Sequence, residues 1–156
     1  MTGRRIPSWI GPALGGAVRV VLGVLWIREG MTKYRAHFGR ADILLVVDSA
    51  KQNPCVPGVF SDLLSQSLGR APTLFGALVP AWETLLGVAL VAGLLSRLLA
   101  GAAVGTLMTY WLSDQLIGQY PVMVLLASAV LVFPAAASAL TVASLVRTRL
   151  TPARSG

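Results

Sequence analysis

VRVVLGVLWIREGMTKY, residues 18–34, decides how the rest of the chain is read. An apolar run, Val20 to Ile27, ends on Arg28 and Glu29 side by side, then Gly30 and Lys33. Such charges cost nothing on a soluble helix and a great deal on a lipid-facing one, so the solvent of this helix comes first. Composition settles it: of 156 residues 55% are hydrophobic and 12% charged, with mean hydropathy +0.73, where a globular domain carries about 25% charged residues. A soluble chain this small has too little interior to hide so much apolar surface. The length suits a single domain, residues 1–156.

The net charge of +7 does not point to nucleic acid, because the basic residues form no stripe interleaved with aromatics. They stand where apolar segments end, as in a membrane protein with a positive-inside bias. One cysteine, Cys55, and one histidine, His37, exclude an internal disulfide framework and leave no set of ligands for zinc or haem, so no metal site is expected. Cys55, in NPCVPG, has no nearby His or second Cys to activate it and reads as an inert loop thiol.

Four segments approach the ~20 residues that cross ~30 Å of hydrocarbon: approximately 15–33, 77–95, 98–117 and 122–146. Ser96-Arg97 breaks the second from the third, and Gly118-Gln119-Tyr120-Pro121 breaks the third from the fourth, with Pro121 suited to a first helical turn. Pro134 is expected to kink the fourth. The fold class is therefore all-α: a four-helix transmembrane bundle with a long extracytoplasmic connection after helix 1. Arg19 interrupts the apolar region and no small-residue cleavage site follows Ile27, so the first segment reads as a retained anchor rather than a cleaved signal. Four spans put both termini on one face. That face carries Arg4, Arg5, Arg97, Arg147, Arg149 and Arg154 without an acidic residue among them, whereas Lys33, Arg35, Arg40, Lys51 and Arg70 share the other with Asp42, Asp48 and Asp62. The bias places a multi-pass protein in the cell inner (plasma) membrane with both termini cytoplasmic.

The connection 34–76 is too long for a plain loop. ADILLVVDSAKQNP (41–54) offers Ile43, Leu44, Val46 and Val47 to a short helix, and VFSDLLSQSLGR (59–70) sets Phe60, Leu63, Leu64 and Leu68 on one side of another. Both suit short amphipathic helices on the membrane surface, capping the bundle, or a flap that binds a soluble partner.

At 100° per residue, Gly16, Arg19, Gly23, Trp26, Gly30 and Lys33 share a sector of about 100°, with Glu29 at its edge. Glycines spaced by seven permit close helix approach, so this face is expected inside. Arg28 points nearly opposite, toward anionic lipid headgroups or a partner subunit. Glu83 should lie roughly 9 Å inside the second span, and side chains lean toward a helix N-terminus, so Lys33 and Glu83 lean toward each other from antiparallel helices. The cluster Glu83, Lys33, Glu29 is either an ion pair that fixes helix register or a proton-handling or ligand-binding site. No residue is assigned a catalytic role. GAAVG, 101–105, reads as a helix-packing face, and Asp114 as a solvated surface residue.

VRVVLGVLWIREGMTKY resembles the first-helix signature of the DoxX/DoxD membrane protein family in Arg19, Leu22-Gly23, Trp26, Gly30 and Lys33. PAWETLLGVALVAGLLSRLLAG (80–101) is similar to the family's second helix: Glu83 near its start, then Gly87, then the exit Gly93 to Arg97. The long connection departs from the compact family pattern. The resemblance implies a four-helix membrane protein associated with redox systems, including quinone-linked thiosulfate oxidation. Two functions follow from it. One is an accessory subunit of a membrane redox or respiratory complex, non-catalytic by itself and binding no cofactor alone. The other is the quinone-binding membrane subunit of an oxidoreductase, with Trp26, Trp82 and Tyr110, joined by Trp111, lining a quinone-sized pocket; the same aromatics also suit an ordinary interfacial belt. A transporter is disfavoured, because the spans show no paired broken helices or internal repeat.

Overall fold

The computed structural model describes residues 7–115, 117–138 and 141, and among them all regular structure is helical. The elements are α1 (Ile10–Arg35), α2 (Arg40–Gln52), α3 (Gly58–Ser67), α4 (Pro72–Ala92), α5 (Ser96–Leu112), α6 (Tyr120–Val132) and α7 (Pro134–Ser138). Two of them, α1 and α4, are long and apolar enough to cross a membrane. At ~1.5 Å per residue their 26 and 21 residues reach about 39 and 31 Å.

Both long helices begin about five residues earlier than the hydropathy pattern suggests. In each case a proline lies in the first turn, Pro12 in α1 and Pro72 in α4, where its missing N–H is not needed. Three helices end by one device. The N–H of Phe38, Leu94 and Gln115 turns back to the carbonyl of Lys33, Ala89 and Tyr110, while His37, Gly93 and Asp114 take positive φ. This is the Schellman stop, favourable for glycine and tolerated by histidine and aspartate. It occupies the single histidine, and it leaves Asp114 half-buried at the end of α5 rather than fully solvated. The fourth expected span is divided: Phe133, disfavoured from helical geometry by the following proline, ends α6, and Pro134 opens α7. Residues 139–146 of that segment, apart from Thr141, lie outside the described residues.

The helices α1, α4, α5 and the α6–α7 segment alternate in direction. Gly15 of α1 meets Ala136 of α7 at one end, and Glu29 meets Tyr120 of α6 toward the other. The core is the contact of α1 with α4. A Cβ at Gly23 would stand 2.7 Å from the Gly87 carbonyl, one at Gly87 2.5 Å from the Gly23 carbonyl, and one at Gly30 2.7 Å from the Pro80 carbonyl. Gly16, Arg19, Gly23, Trp26, Glu29 and Gly30 are buried, while Arg28 is exposed. Gly101 and Gly105 are different. Among the described residues a Cβ at either meets nothing within 4 Å, so the glycines of GAAVG make no close helix contact, although Ala103 between them is fully buried in the core with Ala102 and Val104 packed beside it. Gly87→Val is therefore expected to lower stability by about 1–3 kcal/mol through overpacking, and Gly101→Ala to leave the thermal-unfolding midpoint unchanged or slightly raised. Melting of both variants in one detergent checks the contrast.

At the Lys33 end α2 and α3 fold over the bundle around Val47, Ala50 and Leu64, with Phe60 and Leu68 packed on them. Leu63, expected on the same side, is instead 58% exposed, since it lies next to Leu64 and about 100° around the helix from it. The Gly39 backbone approaches Gly76 closely enough that a Cβ there would meet it at 2.7 Å, pinning the start of α2 to α4.

Candidate functional site

Four helices bring five polar side chains together below the α2–α3 cap. Glu29 and Lys33 stand one turn apart on α1, Glu83 lies on α4, Tyr110 near the end of α5, and Tyr120 opens α6. Lys33 Nζ donates to Glu83 Oε1 at 2.7 Å and to Glu29 Oε2 at 3.5 Å. Tyr110 OH donates to the same Glu83 oxygen at 2.7 Å, and Tyr120 OH to Glu29 Oε2 at 3.5 Å. The Tyr110 and Tyr120 rings pack with centroids 5.6 Å apart, and Lys33 Nζ lies 5.5 Å from the Tyr110 centroid. Glu83 is 0% exposed, and its second oxygen, Oε2, has no hydrogen-bond partner among the described residues. Because α4 begins at Pro72, Glu83 lies roughly 16 Å along its helix, deeper than the hydropathy boundary suggested.

Beside this cluster a cavity of about 810 Å³ opens between α4 and α5. Lys33, Tyr110 and Tyr120 form its polar end; Phe38, Phe75 and Trp82 are aromatic walls; Ile43, Val46, Leu64 and Leu68 close it from the cap. The volume is in the range of small-molecule sites, and a mostly apolar lining with few polar groups is their usual character. Lysine has three N–H donors, and two are committed to Glu83 and Glu29. The third is available to an acceptor in the cavity.

Of the aromatics expected to line a pocket, the structure brings Trp82 and Tyr110 to the cavity but not Trp26. Trp26 is 0% exposed and sits behind Tyr110, ring centroids 6.5 Å apart, because its position on the glycine face turns it into the bundle core. Trp111 is exposed on the outside. Arg28 also faces outward, away from the cluster. Cys55 is exposed in the turn between α2 and α3. Among the described residues no group of three His, Cys, Asp or Glu stands close enough to hold a metal ion.

One member of the site escaped the reading of the sequence. Tyr120 lies in what reads as a turn, and only the placement of α6 beside α1 carries it to Glu29. Lys33 is legible as the partner of Glu83, yet not as the cavity's polar end. Arg19 was expected on the inward face, and it is buried there, but its partners were not foreseen. Arg19 donates from Nε to the Ala137 carbonyl at 2.9 Å and from its NH1 nitrogen to the carbonyls of Val91, at 2.9 Å, and of Leu90. It thereby joins the C-terminal end of α4 to α7, a contact with no local signature. No family model matches the chain, and no curated protein or solved structure resembles it closely enough to indicate a relationship.

Proposed function

We propose that the chain is a four-span, DoxX-like protein of the inner (plasma) membrane, serving as the quinone-binding membrane subunit of a redox assembly whose other redox centre lies on a partner. The observation that supports it is the aromatic-walled cavity with the Lys33 ammonium at one end. A quinone offers what such a space takes: a flat apolar body and a carbonyl oxygen to accept from Lys33. In this reading α1 and α4 span the bilayer fully. The 17-residue α5 and the broken α6–α7 segment cross it by local thinning or with flanking residues. Purification in a mild detergent, followed by solvent extraction and a difference spectrum, tests the proposal. A quinone recovered near one per chain is the expected result, and extracts without quinone would overturn it.

The second reading, an accessory subunit without its own cofactor, is favoured by Arg28. Its guanidinium is exposed beside Val20, Val21, Val24 and Met31, which are also exposed on α1. Planar arginine suits a partner's carboxylate, while snorkelling to headgroups needs no partner. If Arg28 docks, Arg28→Leu leaves the protein inserted but shifts it to a smaller species on blue-native gels. An unchanged complex assigns Arg28 to lipid.

The proposed topology puts both termini in the cytoplasm and Cys55 outside. Being exposed, Cys55 is expected to react with a membrane-impermeant thiol reagent without permeabilisation of the inner membrane. Reaction only after permeabilisation would reverse the orientation.

A further inference from the structure

The rim of the cavity is informative. Leu78, Trp82 and Leu85 are exposed on one stripe of α4, and Gly105 and Thr109 are exposed on the facing stripe of α5. These are mid-helix positions, so the opening lies in the side wall of the bundle, whereas α2 and α3 cover its end. Among the described residues no charged side chain stands on this rim. A hydrogen bond of 3.1 Å from Trp82 Nε1 to Thr106 Oγ1 crosses the gap. At Gly105 a Cβ would meet nothing within 4 Å, so the missing side chain contributes clearance rather than packing.

Inside, the donors are largely spoken for. Thr106, Thr109 and Ser113 each donate to a carbonyl one turn back in their own helix, and Tyr110 and Tyr120 donate to the two carboxyl groups. That leaves, for an incoming head, the third N–H of Lys33 and the amide of Gln115, whose Nε2 also donates to the Ser113 carbonyl at 3.4 Å. The Lys33 ammonium already stands against two carboxyl groups, so a head with a full negative charge gains no net attraction there and loses its hydration.

We infer that the cavity is loaded sideways from the lipid through the gap between α4 and α5, with Gly105 setting its clearance, and that Lys33 selects neutral carbonyl-bearing molecules over anionic amphiphiles. The inference rests on the ligand-site reading above and adds the route and the charge of the ligand. Whole protein in phosphatidylcholine nanodiscs, with empty discs as background, is titrated with prodan, a neutral naphthyl ketone, and with anionic anilinonaphthalenesulfonate. Prodan is expected to bind saturably and about tenfold or more tighter than the sulfonate. Gly105→Leu is expected to weaken prodan binding about tenfold at an unchanged thermal-unfolding midpoint. Gly105→Ala serves as the folded control and binds as wild type.

Absence of saturable prodan binding, or a preference for the sulfonate, overturns the inference. So does unchanged prodan binding by Gly105→Leu, including the case in which that variant instead releases a partner from a larger complex. A short-chain benzoquinone separates the two levels of the argument. If it fails to displace prodan while Gly105→Leu still blocks binding, the side entrance stands and the quinone reading falls. If it displaces prodan from wild type and from Gly105→Leu alike, with equal affinities, the reverse holds.

Discussion

Arg19→Leu is expected to loosen the Gly93 end of the bundle and to lower the thermal-unfolding midpoint more than any substitution outside the Lys33 cluster. The Schellman stop of α4 sends the N–H groups of Gly93 and Leu94 back to Leu90 and Ala89, so the Val91 carbonyl gets no donor from that turn. Arg19, 2% exposed, donates to it, to Leu90 and to Ala137 of α7. A cation at these helix ends also opposes the partial negative charge of the C-termini. Leucine refills the volume and supplies no donor. The Leu90 carbonyl keeps the Gly93 N–H, but those of Val91 and Ala137 lose the Arg19 donor; each buried acceptor left unmade costs about 1–3 kcal/mol, a large fraction of a membrane domain's stability. Arg19→Lys keeps the charge but not the planar fork that spans two helices, and an intermediate midpoint is expected. Detergent melts of the three proteins provide the measurement; a midpoint for Arg19→Leu equal to wild type would show that this cap contributes nothing.

Lys33→Ala should be as damaging to assembly as Glu83→Ala, and Glu83→Gln much milder than either. Removing Lys33 leaves a fully buried carboxyl group with Tyr110 as its hydrogen-bond donor. Breaking one side of a buried pair in this way costs about 3–5 kcal/mol. Glutamine keeps an oxygen to accept from Lys33 and Tyr110 and introduces no unpaired charge. The yield of monodisperse protein and its melting temperature report the ranking. A double-mutant cycle for Lys33→Ala and Glu83→Ala is expected to show strong coupling, because the two atoms touch at 2.7 Å. Additive effects would mean that the pair holds no energy of its own.

Much of α1 was legible before any coordinates. The seven-residue spacing of Gly16, Gly23 and Gly30 marks one face of a helix at any register, and that face is buried; Arg28, more than a third of a turn away, is exposed. The meeting of Lys33 and Glu83 is legible for a similar reason, since helical phase and the lean of side chains are local properties. Helix ends were less so. Hydropathy averages over a window and is blind to prolines that start a helix or to residues such as His37 that stop one through a positive φ. GAAVG shows the limit of motif reading: two glycines a turn apart permit close packing without requiring it, and here no helix of the described chain takes the place.

What the sequence determined by itself is the helical class, the membrane-like composition, the inward face of α1 and the polar residues it delivers. These depend on periodicity and transfer energy, which a single segment carries within itself. The tertiary structure alone decided that α4 and α5 part to leave a cavity at the Lys33 end, that Tyr120 joins Glu29, that Trp26 turns into the core behind Tyr110, and that Arg19 ties α4 to α7. The physical reason is that a gap, and a donor shared between two helices, belong to pairs of segments. Their presence depends on which backbones come into contact, as α1 and α4 do at Gly23 and Gly87, and on which are held apart by the side chains between them.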